Sequence, residues 1–335
     1  MAPKETDYLS IGIDTIHLDR QSNDPKAQTI ATVDIGFLAD RCLRLLDDAK
    51  SSSTGSESPS KALYRRQSSS FNDHQQIFVG IAGTPGSGKS FIARQVCDEI
   101  NRRDRNNNSD APECVVVGMD GYHLSRQELK KLSESGHRFK VDEFENEELK
   151  FSYVPMSYRQ VMSRRGAAFT YSPETFIRDL GIIKETGQGS FPEYCRELHD
   201  PVPGGVMVKP CNRIILVEGL YLLSLNDPAW KRLGNLWDDT WLVDVSLPET
   251  KRRLVQRHLE TWDDGKTEMW GGNDAAAATR KAETNDLVNA KCIQESSRDF
   301  ANLIIQNERI PEDEENHSPT LKRQEAFSSR SESPP

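Results

Sequence analysis

Residues 77–92, reading IFVGIAGTPGSGKSFI, constrain what this chain can fold into more than any other stretch. Ile77-Phe78-Val79-Gly80-Ile81-Ala82 is a short apolar run rich in strand formers, the pattern of a strand buried on both faces. Gly83-Thr84-Pro85-Gly86-Ser87-Gly88-Lys89-Ser90 then fits G-x-x-x-x-G-K-[ST] at every fixed position. Phe91, Ile92, Val96 and Ile100 continue as the apolar positions of a helix. A strand, a glycine-rich loop and a helix N-terminus aim many N–H donors at one concave spot, which is what a nucleotide's phosphates require. At such a loop Lys89 reaches the β- and γ-phosphates and the Ser90 hydroxyl ligates Mg²⁺. The loop specifies a nucleotide tail, not a reaction.

Four further apolar runs repeat the buried-strand signature: 114–118, 213–221, 241–245 and 301–305. They alternate with helical patterns, among them 158–165, 173–183 and 287–297, and a helix opened by Pro248 at its first turn. This alternation predicts an α/β protein of the P-loop NTPase type: three layers, α/β/α, around a five-stranded parallel sheet, with a helical lid. The second and third strands each run into a carboxylate, Asp120 and Glu218. In a parallel sheet both arrive at the edge that carries the phosphate loop. Arg253 and Arg257 stand four residues apart on the Pro248 helix and share a face.

At 335 residues, with 36% apolar and 28% charged residues, the chain holds a core and long polar stretches. The expected organisation is a disordered 1–28, an N-terminal helix at 29–49, a serine-rich linker at 50–75, a catalytic domain at 76–309 and a disordered tail at 310–335. Within the domain, 127–154 reads as a charged surface excursion and 250–284 as the lid, with a mobile cover at 262–284. Arg65-Arg66-Gln67-Ser68 has the form of a basophilic phosphorylation site in the linker. The net charge of −9 argues against a general nucleic-acid binder. Six cysteines show no C-x-x-C spacing and fit buried apolar positions in a reducing compartment. Without a long apolar run or a leader, the expected location is the cytoplasm or nucleus. Sequence does not fix the oligomeric state.

Taken together, GTPGSGKS, MDGYHLSR, RRGAAFTY, PEYCRELHDPVP, VEGLYLL and the arginine-bearing helix resemble the phosphoribulokinase/uridine kinase superfamily of P-loop kinases. The resemblance is to its fungal ATP-dependent kinases above all, and extends to bacterial pantothenate kinase. It covers about 30–49 and 75–307, and Asn285-Asp286-Leu287-Val288-Asn289 is similar to the family's motif after the lid. It implies ATP, Mg²⁺ and a small-molecule hydroxyl acceptor. It places Asp120 where the family has its catalytic aspartate. The residues themselves give the other expectations: Gly83–Ser90 as the nucleotide loop, Lys89 and Ser90 on phosphates and Mg²⁺, Glu218 holding Mg²⁺ through water or sharing the base role, Arg253 and Arg257 covering the transferring group from a closing lid, and Tyr122, His123, Arg165, Tyr194 and His199 with Asp120 as candidates around the acceptor.

Tyr194 and His199 fall where uridine kinases carry P-x-Y-D-x-x-x-H, but Cys195 stands at that Asp. Thr170-Tyr171-Ser172 stands where uridine kinases place a ribose-binding Asp. These departures leave the acceptor unassigned. Whether Asp120 or Glu218 acts as base is open at this level. So is a second class of function, a nucleotide-gated interaction protein using its serine-rich segments for docking. The sequence has no N-K-x-D guanine motif and no LSGGQ-like signature, which argues against a regulatory GTPase and an ABC-type ATPase.

Overall fold

The computed structural model describes residues 28–30, 32–54, 76–105, 113–145 and 148–308. The 1–27 and 310–335 segments, most of the serine-rich linker and Ser68 lie outside the described residues.

In chain order, the short strand β1 (Gln28–Ile30) precedes helix α1 (Ile35–Thr54). Strand β2 (Ile77–Gly83) feeds the phosphate loop and α2 (Lys89–Arg105), and β3 (Glu113–Gly118) follows. A one-turn 3₁₀ helix at Met119–Tyr122 leads to α3 (Arg126–Glu134), the hairpin β4 (Arg138–Glu145) and β5 (Glu148–Pro155), and α4 (Tyr158–Ser163). Next come α5 (Pro173–Thr186), a second hairpin of β6 (Gly189–Cys195) and β7 (Asp200–Val208), then β8 (Asn212–Gly219) and β9 (Asp239–Asp244). The segment expected to form a lid carries α6 (Leu247–Glu260), α7 (Asp264–Trp270) and α8 (Ala275–Lys281). A π-helical turn at Ala282–Asp286 joins it to α9 (Leu287–Ser297), and β10 (Leu303–Gln306) closes the described chain.

The main sheet is parallel, in the order β1-β10-β9-β2-β8-β3. It has six strands where the sequence predicts five. The extra strand, β1, has only three residues and lies on the edge, too short to leave a periodic signal. Residues 28–30 therefore belong to the sheet, and the N-terminal helix runs from Ile35 to Thr54 rather than over 29–49.

β2 sits between β8 and β9, and all seven of its residues are buried, which is why its apolar run is unbroken. On one face of the sheet Ile77, Val79 and Ile81 pack with Ile92, Val96 and Ile100 of α2 and Leu38, Cys42 and Leu46 of α1. On the other, Phe78 and Val217 pack with Phe176 and Leu180 of α5 and Ile293 of α9. Helices thus cover both faces, giving the expected three layers. Arg41 of α1 binds Asp239 at the start of β9 with two nitrogens (2.5 and 3.0 Å), fixing the N-terminal helix to the sheet. Asp239 also accepts from Trp241 Nε1 and Asn302 Nδ2. These bonds outweigh burial and hold its carboxyl below the usual range.

Two expectations need correction. The 127–154 stretch is not a simple surface excursion. Ser125 and Glu128 form a capping box at the start of α3, and Leu129, Phe139, Val141 and Val161 make a small core of their own. Its charges hid the alternation of the hairpin that follows. In the 262–284 cover, Ala277 and Ala278 are fully buried, so α8 is packed. Among the described residues, four cysteines (Cys42, Cys97, Cys114 and Cys292) are buried, and none forms a disulfide. No described helix is long and apolar enough to cross a membrane.

Candidate active site

The loop after β2 turns through Gly86 (φ 79°) and Gly88 (φ 88°), a backbone region closed to most side chains. The loop is held from outside. Asn307 Nδ2 donates to the Ser87 carbonyl (2.7 Å), and Arg253 donates to the carbonyls of Gly86 (3.4 Å) and Asn307 (2.7 Å). Inside it, the Thr84 and Ser87 hydroxyls are buried without a hydrogen-bond partner.

Sheet register brings the first carboxylate to this loop. Glu218 pairs with Ile81 on one side and Gly118 on the other, and a Cβ built on Gly118 would lie 3.4 Å from its Oε1. Burial raises the Glu218 pKa, with a further push from Asp120, while Lys89, the Ser90 hydroxyl and Arg94 pull it down. Lys89, Ser90 and Asp120 thus all act on Glu218, at the sheet edge where β2, β3 and β8 end.

Asp120 lies on the 3₁₀ turn just beyond β3 and is exposed. The Tyr171 hydroxyl donates to its Oδ1 (3.2 Å). Its backbone carbonyl faces His123 Nδ1 (2.9 Å). Since a carbonyl only accepts, His123 carries its proton on Nδ1, leaving Nε2 as an acceptor in the neutral ring. Burial lowers the His123 pKa, and Arg165 adds to this, while Asp120 opposes both.

The His123 ring packs against Tyr171 (centroids 4.0 Å apart) and Tyr194 (5.0 Å). Arg165 lies over the Tyr194 ring at 5.6 Å and donates to Asp200 Oδ1 (3.3 Å). Gly121 makes this assembly possible: a Cβ there would come within 2.0 Å of the Pro192 carbonyl oxygen. Only glycine lets β6 cross so close to the turn and deliver Tyr194 to His123.

Other candidates go elsewhere. Tyr122 is 3% exposed, its hydroxyl bonds Asp179 (2.9 Å) and its ring packs on Phe176 and Phe191, so it belongs to the core and not to the acceptor side. A residue two along from Asp120 faces inward because the turn is 3₁₀, not extended. His199, at φ 53°, turns the tip of the second hairpin toward the lid, with Nε2 3.8 Å from Asp263 Oδ2. Arg253 is committed to Glu249, Gly86 and Asn307 and acts as a tether of the loop. The Arg257 side chain makes no hydrogen bond among the described residues, while its carbonyl accepts from Thr261 Oγ1 (2.8 Å). Desolvation and Arg196 lower its pKa, while Asp286 and Asp120 raise it, so its charge is felt at the site.

Sequence reasoning missed Tyr171, Asp200 and Asn307. Tyr171 was within reach, as the last residue of RRGAAFTY. Asn307 gave no signal, because it sits beyond β10 and meets the loop only through folding.

No protein-family model matches the sequence. The chain is 27% identical over 251 residues, covering 74% of its length and 90% of the relative, to a Schizosaccharomyces pombe protein provisionally named uridine kinase C227.14. It is 29% identical over 196 residues to the ATP-dependent kinase-like protein notR' of Aspergillus versicolor, covering 57% of this chain and 95% of that one. Among solved structures it aligns with YFH7 of Saccharomyces cerevisiae, provisionally described as a P-loop containing kinase with a circular permutation. That alignment has a TM-score of 0.58 at 19% identity and covers 83% of this chain and 100% of that one. A protein of Silicibacter sp. TM1040, provisionally described as a fructose transport system kinase, aligns with a TM-score of 0.56 at 23% identity, over 81% and 98% of the two chains. The chain is thus a homologue of fungal proteins named for uridine kinase and ATP-dependent kinase, built on the P-loop kinase fold.

Proposed function

We propose that this protein is an ATP-dependent phosphotransferase that moves the γ-phosphoryl group of ATP to a hydroxyl of a small molecule. The observation that carries the reading is the convergence of Lys89, Ser90, Glu218 and Asp120 at one edge of the sheet. A module that only bound nucleotide would not need the second carboxylate, Asp120, set beside the His123, Tyr171 and Tyr194 rings.

Phosphoryl transfer asks a protein mainly for position and charge. The loop amides and Lys89 hold the phosphates. The donor set fits Mg²⁺: the Ser90 hydroxyl and the Glu218 carboxylate are hard oxygen ligands beside the loop. When bound, Mg²⁺ neutralises charge on the β- and γ-phosphoryl oxygens. Asp120, exposed and oriented by Tyr171, accepts the proton of the attacking hydroxyl or aligns it. Glu218 is assigned to the phosphate side rather than to the base role, because Lys89 and the Ser90 hydroxyl are its neighbours there. Arg257, on the lid helix α6, faces the transferring group, and Arg253 keeps the loop in shape. His199 is read as a hairpin-to-lid contact that helps exclude water on closure.

The test is a pair of variants assayed for ATP consumption in the presence of a metabolite extract. Asp120→Asn abolishes extract-stimulated turnover and keeps nucleotide binding, whereas Lys89→Ala loses both. If cellular function survives Asp120→Asn but not Lys89→Ala, the protein is a nucleotide-gated switch instead.

A further inference from the structure

Arg165 is set in a turn that several bonds hold rigidly. Its own carbonyl accepts from Asn285 Nδ2 (3.0 Å), the Gly166 carbonyl accepts from Tyr221 OH (2.8 Å), and the Gly166 amide donates to Thr170 Oγ1 (3.1 Å). The side chain is 12% exposed, and its Nε and Nη1 are buried without a hydrogen-bond partner. Its single bond to a carboxylate, through Nη2, shares Asp200 Oδ1 with the Arg126 amide (2.8 Å). A guanidinium in a largely dry place with donors left over is costly unless an anion arrives to take them. The charge belongs to the aromatic cluster beside Asp120: it lies over Tyr194 and acts on His123 and Tyr171, the two rings that touch Asp120.

Building on the phosphotransferase reading, we propose that the acceptor carries an anionic group, a carboxylate or a phosphate, held by the free edge of Arg165 while its hydroxyl meets Asp120. The edge formed by Nε and a terminal nitrogen suits the two oxygens of such a group. His123 Nε2 is left to accept from a further hydroxyl of the same molecule. A neutral nucleoside or polyol would leave the guanidinium unsatisfied, and the site would discriminate against it as a built hydrogen-bonding pocket discriminates against a ligand lacking the matching group.

The experiment uses the full chain with ATP analogue and Mg²⁺ and three ligands of one carbon skeleton: erythritol, erythronate and erythritol 4-phosphate. Binding is read by calorimetry on the wild type, Arg165→Met and Arg165→Lys. At least one of the two anions binds about tenfold or more tightly than erythritol, and which one does so separates the carboxylate from the phosphate. Arg165→Met removes that preference, the ratio of anion to erythritol affinity falling to about one. Arg165→Lys restores part of it, which a purely structural role for Arg165 would not do. Equal binding of the three ligands, failure of both anions to bind, or an anion preference that persists in Arg165→Met overturns the inference. The phosphotransferase reading fails separately, if Asp120→Asn leaves extract-stimulated ATP turnover intact.

Discussion

The two sides of the sheet's working edge are assembled in different ways. On the nucleotide side one uninterrupted run, Gly83 to Ser90, makes the loop, and its half-buried neighbours Asn307 and Arg253 brace it. On the acceptor side nothing is contiguous. Asp120 and His123 come from the turn after β3, Arg165 and Tyr171 from the segment between α4 and α5, and Tyr194 and Asp200 from the second hairpin. The nucleotide side is therefore made by one local run, with two braces, Asn307 and Arg253, arriving from distant segments. The acceptor side can change its ligand through any of three segments without disturbing the sheet. Such a division lets one phosphate-handling core serve different acceptors.

The sharpest way to separate the two sides is Asp120→Asn, which should lower kcat by about 10²–10⁴-fold with nucleotide affinity intact. Single-turnover kinetics and a nucleotide titration check it. An equal loss of both would merge the two sides into one. Lys89→Ala should follow, with a loss of about 10²–10³-fold in kcat from one missing electrostatic contact, together with weaker nucleotide binding. The two lid arginines divide along the same line. Arg257→Ala should reduce kcat by about tenfold to a hundredfold with the nucleotide Kd unchanged, while Arg253→Ala, which releases Gly86 and Asn307, should raise that Kd. If the two variants behave alike, the tether and the lid group have not been told apart.

Tyr171→Phe removes one hydrogen bond to Asp120 and should cost about 0.5–1.5 kcal/mol in the transition state, a few-fold drop in kcat without loss of stability.

The smallest effect concerns the lid's buried cluster, where His258 Nε2 meets Asp286 Oδ2 at 2.6 Å and Lys281 Nζ lies 3.1 Å from that oxygen. Burial holds the His258 pKa below its usual value, assisted by Lys281 and Arg257 and opposed by Asp286. The unfolded chain takes up that proton first as pH falls. The stability gained from the neutral ring is present above about 6.5 and declines below it. Asp286 is held low by Lys281 and His258 against its own burial. Its contribution is lost only at lower pH, below the ordinary carboxylate range. Thermal melting at pH 7 and pH 5 should show a fall that His258→Gln reduces, at roughly 2–4 °C for each kcal/mol.

How much of this could be read from sequence follows the same division. The phosphate loop, the strands that carry Asp120 and Glu218 and the helix that begins near Pro248 were legible because each is a local pattern: buried β2 has no polar residue to confuse its run, and Pro248 sits in the first turn of α6. The β4–β5 and β6–β7 hairpins were not. In β6 and β7 prolines, glycines and charged residues interrupt the alternation, and the strands pack against the 3₁₀ turn rather than a sheet face. Tyr122 was placed with the acceptor by adjacency to Asp120, which a tight turn makes a poor guide to direction. Arg253 and Arg257 share a helix face, yet one is spent on bracing the loop, a distinction that depends on where Asn307 arrives from β10.

The most direct measurement is mass spectrometry of a small-metabolite extract incubated with the purified protein, ATP and Mg²⁺. A compound that gains the mass of one phosphoryl group with the wild type, and does not with Asp120→Asn, is the predicted result. ATP hydrolysis that proceeds with no phosphorylated product, at the same rate in both proteins, would contradict it.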